Sequence, residues 1–136
     1  MFLGLSNPDL MVTPQLLADL AEQQESAIEN RTLNGKDFND SSFPSYSEAY
    51  KAKRAAKGRQ TSPVNLKWSG AMLNSMTHKV GEGRVTISFD PGTGPRAHGH
   101  QTGRMGKTVR RSFFGVSERE GDELAETVKR HIELQA

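Results

Sequence analysis

Gly106-Lys107-Thr108 ends in the manner of a phosphate-binding loop. That motif needs a glycine five positions earlier, where Gln101 stands, and a helix straight after the threonine, so that free amides and the helix dipole meet the phosphates. Val109-Arg110-Arg111-Ser112 follows instead and reads as extended chain, so nucleotide hydrolysis is not expected. His98 and His100 would present two imidazoles on one side of a strand, but two ligands are too few for a stable metal site, and no third His or carboxylate has helpful local spacing. A loop histidine bonded to backbone is the simpler reading. Ser112 or Ser117 with His131 and an aspartate lacks the strand-to-helix nucleophile pattern. No catalytic constellation, metal site or cofactor site emerges, and the chain reads as a non-enzyme.

What remains is charge. Lys51, Lys53, Arg54, Lys57 and Arg59 form one basic set; Arg104, Lys107, Arg110 and Arg111 form another. Either could meet phosphates without reading sequence, since aromatic interleaving for base stacking is sparse. No helix-turn-helix, zinc finger or RNA-recognition pattern is present. The second set lies in the polar, Gly-rich run from His98, which ends abruptly in Phe113-Phe114-Gly115-Val116. Ser117 and Glu120 then carry capping-box spacing. A basic loop is thus closed by two aromatic anchors and handed directly to a final helix.

The elements that must hold this loop come from 136 residues, enough for a single domain over 1–136 with one modest core. Thirteen glycines and six prolines imply many turns and long loop arms. Absence of cysteine excludes disulfides and thiolate metal sites. No apolar run approaches the roughly 18 residues of a membrane span. The start, Met1-Phe2-Leu3-Gly4-Leu5-Ser6, is a poor signal peptide, which suggests a cytoplasmic place of assembly. The net charge of +2 hides an asymmetry. Residues 1–50 carry two basic and eight acidic residues, and the remainder carries sixteen and eight. Such a dipolar chain suits head-to-tail self-association as well as a nucleic-acid or acidic protein partner.

Residues 1–12 read as an N-terminal arm. Thr13-Pro14 opens a helix to about Asn30, with Leu16, Leu17, Leu20, Ala21, Gln24, Ala27 and Ile28 on one face. Asp19, Glu22, Glu25 and Glu29 take the other. Residues 31–64 read as an extended arm pinned by Phe38 and Phe43, with a short helix from a Ser45/Glu48 capping box to about Lys57. In that helix Tyr46, Ala49, Tyr50 and Lys53 share one side, and Lys51, Arg54 and Lys57 the other. Trp68, the only tryptophan, reads as a core or interface anchor. Ser69-Gly70 opens a further short helix with Met72, Leu73 and Met76 inward. His78–Asp90 is a hairpin turning at Gly81-Glu82-Gly83, with Val85, Ile87 and Phe89 facing one way. The 90–112 segment is the basic Gly-rich loop, with extended strands expected near Arg96–His100 and Thr108–Phe113. The final helix runs from about Glu118 to Leu134 on a Leu124, Val128, Ile132 stripe. The fold class is α+β: a small antiparallel sheet flanked by an N-terminal and a C-terminal helix.

Three separated stretches together resemble one family. Gly35-Lys-Asp-Phe-Asn-Asp-Ser-Ser-Phe-Pro-Ser-Tyr-Ser-Glu-Ala-Tyr-Lys-Ala-Lys53 resembles its signature of Gly, an aromatic, a Ser-x-x-Tyr element and a following Lys. Leu66-Lys-Trp-Ser-Gly70-Ala-Met-Leu-Asn-Ser75 resembles its Leu-x-x-[Ser/Thr]-Gly-x-[Leu/Met]-x-x-Ser segment, which a hairpin follows. His100-Gln101-x-Gly103 and Arg111-Ser-Phe113-Phe114-Gly115-Val-Ser117 resemble its His-Gln-x-Gly and Arg-Pro-Phe-Leu-Gly-[Leu/Ile]-Ser endings. The family is the tailed-bacteriophage virion morphogenesis group, comprising Mu-type tail completion proteins and related siphophage neck and tail-terminator proteins. Ser112 replaces the family's Pro, and Arg96-Ala97 stands near the place of its Tyr-Ala.

The resemblance implies a structural virion protein of the head–tail junction. It would assemble in the host cytoplasm as a homo-oligomeric ring, often sixfold, between head connector or adaptor proteins and the tail tube. DNA would cross the lumen and touch it without sequence preference; no membrane is involved. On that reading Trp68, Phe113 and Phe114 anchor the body, and Arg104, Lys107, Arg110 and Arg111 project to a partner. A small DNA-binding protein blind to sequence is the alternative, of a different class.

Overall fold

The computed structural model describes residues 1–4, 12–66, 70–103 and 109–135. Trp68, Arg104 and Lys107 lie outside the described residues. The elements in order are β1 (Phe2–Gly4), α1 (Pro14–Leu33), α2 (Glu48–Ala56), α3 (Ala71–Asn74), β2 (Thr77–Gly81), β3 (Arg84–Ser88), α4 (Gly94–Thr102) and α5 (Glu118–Gln135). The strands form one antiparallel sheet in the order β1-β3-β2. With helices at the N- and C-terminal regions, the architecture is α+β as expected.

The hairpin follows from strict alternation. Val85 and Ile87 are buried on the face that α1 covers, whereas Arg84 and Ser88 face outward. β2 pairs with β3 in the register Val80↔Val85 and His78↔Ile87. Residues 2–4 are not part of an arm: Leu3 pairs opposite Val85, and the Ile87 amide donates to the Met1 carbonyl at 2.9 Å. A strand of three residues is too short for its alternation to be read in sequence.

α1 begins where Thr13-Pro14 predicts, the Thr13 hydroxyl accepting from the Leu16 amide at 3.1 Å. It runs one turn further than the apolar period suggests, because Arg31 and Thr32 continue its buried face. One half of that face, Leu17 and Ala21, packs on Val85 and Ile87. The other half belongs to a second cluster, in which Ile28 joins Phe43, Tyr46, Val64, Leu66, Met72, Leu73, Ala97 and Phe113. Met1 and Phe114 touch both clusters and join them.

The 31–64 segment is laid on its own chain rather than held away from it, with Phe43, Tyr46 and Val64 buried. α2 is capped by Ser47, not Ser45: the Ser47 hydroxyl accepts from the Tyr50 amide at 3.2 Å. Arg54 departs from the expected solvated face and is buried, its guanidinium 4.9 Å from the Tyr46 ring centre. Tyr50 and Arg54, four apart, share one side of α2, and Tyr46, just ahead of the Ser47 cap, packs its ring against both.

The largest correction concerns residues 94–102, expected as loop and strand and found as α4. Asp90 builds its start, the side chain accepting from the Thr93 amide and the carbonyl from the Gly94 amide, both at 2.9 Å. Pro95 fits the first turn. No strand forms over residues 109–113. Among the described residues no helix is long and apolar enough to cross a membrane.

Of the two aromatic anchors, Phe113 is fully buried and Phe114 half-buried. Phe113→Ala is expected to cost about 3–5 kcal/mol, and Phe114→Ala clearly less, as read by urea unfolding. Equal losses, or none at Phe113, would remove Phe113 as the core anchor.

Candidate functional site

The site is the base of the basic loop. α4 ends at Gly103, whose φ of 82° is a left-handed conformation that favours glycine, and whose amide caps the Gly99 carbonyl at 2.9 Å. The next described stretch, from Val109, lies against the last turn of α4. The Arg111 amide donates to the His100 carbonyl at 2.7 Å. The Gln101 side chain then acts as a short strand: its Nε2 donates to the Phe114 carbonyl at 3.2 Å, and its Oε1 accepts from the Phe114 amide at 3.0 Å. His100 stands edge-on to the Phe113 ring at 6.5 Å between centres. The His-Gln-x-Gly and Phe-Phe-Gly stretches are therefore two halves of one clasp. It holds both roots of the 104–108 segment, which itself lies outside the described residues.

Beneath the clasp is a buried ion pair that the sequence reading did not contain. Arg31 Nε donates to Glu120 Oε2 at 2.7 Å, and both side chains are 1% exposed. Arg31 Nη2 reaches Glu120 Oε1 at 3.2 Å and the Gly115 carbonyl at 3.0 Å, while Nη1 reaches the Phe113 carbonyl at 2.9 Å. Gln24 Nε2 adds bonds to Glu120 Oε1 at 3.0 Å and to the Gly115 carbonyl at 3.1 Å. The expected capping box is present: the Ser117 amide donates to Glu120 Oε1 at 3.0 Å, and the Glu120 amide donates to Ser117 Oγ at 3.1 Å. One carboxylate thus closes the N-terminus of α5 and binds α1. The available signal was Gln24 and Arg31, polar residues at apolar positions of the α1 stripe, seven apart. Gly115 lies so close to Phe38 that an added Cβ would stand 3.0 Å from the Phe38 Cβ.

The predicted loop cations separate. Arg110 is exposed and donates through Nε to the Gln101 carbonyl at 3.0 Å. Arg111 does not project. It is buried, donates to the Pro44 and Ser45 carbonyls at 3.1 Å each, and lies 5.0 Å from the Tyr46 ring centre. Tyr46 is therefore flanked by the guanidinium groups of Arg54 and Arg111. Burial lowers the Arg111 pKa, partly offset by Tyr46 and Tyr50. The chain from Arg111 to Pro44 is thus bound side chain to backbone. This removes two of the nine cations counted above from any outward contact.

His98 and His100 fall two apart on a helix, not a strand, so they point to different sides; His98 is exposed. Among the described residues no group of three or more His, Cys, Asp or Glu could hold a metal. Ser117 Oγ is committed to the α5 cap. Gly70, with a φ of 87°, stands at the N-cap of α3, whose Met72 and Leu73 are buried as expected. A polar groove of about 350 Å³ lies between α1 and the first turns of α5, with Arg119 in it paired to Glu123 at 3.0 Å and Asp40 at 3.6 Å. Among the described residues the arrangement ties Gly99–Gly103 to residues 110–114 through backbone and Gln101 side-chain hydrogen bonds. The chain matches no protein-family model, no curated protein and no solved structure.

Burial works against ionised Glu120, yet hydrogen bonds from Arg31, the Ser117 amide and Gln24, with the Arg31 charge, outweigh it and hold the carboxyl below its ordinary value of 4.5. A depressed folded-state pKa contributes stability that is complete above the unfolded value and fades as pH falls through the folded one. Glu120→Gln should therefore melt well below the parent at pH 7, and the gap should narrow as pH falls below the ordinary value of 4.5. A gap that does not change with pH would contradict an ionised Glu120 in the folded state.

Proposed function

We propose that this chain is a structural virion protein of a tailed-bacteriophage head–tail junction, of the tail completion, neck or tail-terminator kind. It closes as a homo-oligomeric ring, sixfold by the resemblance, between the head connector and the tail tube. The observation that carries the reading is where the three resembling stretches meet. Phe43 and Tyr46 from the first, Met72 and Leu73 from the second and Phe113 from the third lie in one buried cluster. The third stretch also supplies both halves of the clasp, through Gln101 and Phe114. Residues separated widely in sequence thus support a single feature, the rooted basic segment that carries Arg104, Lys107 and Arg110 to a partner. In this reading that partner is the tail protein, a connector protein or DNA crossing the lumen, met through phosphate charge alone. The particle is assembled in the host cytoplasm.

A stop codon in this gene of the parent phage should give filled heads and separate tails in electron micrographs of the lysate. Overlong tails would indicate a terminator and tails of normal length a neck or completion protein. Normal joined particles would contradict the reading. Salt-sensitive duplex binding by the purified protein would then favour the sequence-blind DNA-binding alternative. Within the reading, reversing Arg104, Lys107 and Arg110 to Glu should leave the melt unchanged and abolish joining. Arg111 is excluded from that set because it is buried against Tyr46.

A further inference from the structure

Two helix faces carry charge that the chain does not neutralise. On α1, Asp19 and Glu22 are exposed and Glu29 half-exposed on the side turned away from the sheet. Among the described residues none of the three has a cationic partner, although Glu25 beside them is paired with His78 at 2.9 Å. On α2, Lys53 and Lys57 are exposed, and no described carboxylate pairs with either. Around these lysines lie Ala49, Ala52 and Ala56, also exposed, at helical spacing that gathers them on one side. The neighbouring side is spent on Tyr50 and Arg54, which pack with Tyr46 ahead of the helix. α2 does not pack along α1, so the acidic and basic faces are separate surfaces of the molecule.

We infer that the α1 acidic face of one copy docks on the Lys53/Lys57 face of α2 of the next, head to tail. This rests on the ring reading above and names the surfaces that close the ring. The occupant is a second copy because the two faces complement each other in charge and in length. Asp19 to Glu29 covers about 15 Å of helix and α2 about 13 Å. The small alanine side chains leave room for a second helix to approach closely, while the lysines at their side meet the carboxylates. The two faces differ, so the contact is heterologous: every copy offers one of each, and repetition generates a ring when the rotation closes. Individual exposed ion pairs are weak, so these charges set orientation and register within a larger contact. The uneven charge of the chain, acidic over residues 1–50 and basic beyond, gives the same direction of attraction over longer range.

The test is a charge-swap complementation at low salt. One variant carries Asp19→Lys and Glu22→Lys; the other carries Lys53→Glu and Lys57→Glu. Circular dichroism first establishes that both fold. By sedimentation velocity the parent protein should assemble, and each variant alone should remain monomeric with at least tenfold weaker self-association, because like charges then face each other. An equimolar mixture should recover the parent assembly with the two variants alternating, since the basic reversed α1 face of one meets the acidic reversed α2 face of the other and the two native faces meet each other. Assembly by either variant alone, a mixture that stays dissociated, or a parent that is monomeric at every concentration would overturn the inference. The stop-codon lysate decides the junction reading separately, so failure of this contact and failure of that reading are told apart.

Discussion

The Arg31–Glu120 ion pair is the constraint on which the rest of the structure depends. Two charges withdrawn from water are costly, and their attraction compensates only when the remaining donors and acceptors are also satisfied. Here they are. The Arg31 guanidinium spans both carboxylate oxygens and two backbone carbonyls, and the carboxylate takes two further donors from Gln24 and the Ser117 amide. Apolar side chains of the same volume could fill this space with no loss of stability, but they could not specify where the chain between Phe113 and Ser117 must run. The pair fixes α5 on α1, and through the Phe113 and Gly115 carbonyls it fixes the strand-like return that forms half of the clasp.

From that point the molecule is tied outward in both directions. Phe113, held by its own carbonyl, fills the larger cluster, and Phe114 bridges it to the cluster between α1 and the sheet. Arg111, two residues before Phe113, reaches back to Pro44 and Ser45 and so binds the 31–64 segment to the C-terminal part of the chain. Tyr46 receives Arg54 and Arg111 on its ring, an arrangement in which ring electrons and carbonyl oxygens take the place of carboxylates. A small core of this kind is tied together by cations turned inward as well as by apolar burial. Three arginines are thus turned inward, while Lys53, Lys57 and Arg110 are exposed and enter the proposed contacts.

What could be read in sequence is what local periodicity or capping decides. α1, the β2–β3 hairpin, α3 and α5 each announce themselves by an apolar stripe, an alternation or a cap, and their ends fall within about a turn of the expected places. α4 was not legible, because its Gly, His, Pro and Gln residues carry no apolar period. Its last turn is matched instead by residues 110–114, through the His100 and Gln101 carbonyls and the Gln101 side chain, a pairing that local patterns do not reveal. β1 escaped because three residues show no alternation, and only the neighbouring strand makes them a strand. The sharpest failures were arginines. Charge assigns Arg31, Arg54 and Arg111 to the surface, and all three are buried. The residues of the clasp are scattered in sequence and no local period joins them; the fold brings Gln101 to the Phe114 backbone and Gly115 against Phe38.

A double-mutant cycle on Arg31→Met and Glu120→Leu, followed by urea unfolding, measures whether the buried pair acts as one unit that organises the clasp. Each single change leaves an uncompensated buried charge and is expected to cost about 3–5 kcal/mol. The double variant should lose far less than the sum, giving a coupling of about 2 kcal/mol or more. Additive losses would mean that the two residues act independently, and the clasp would then need another foundation.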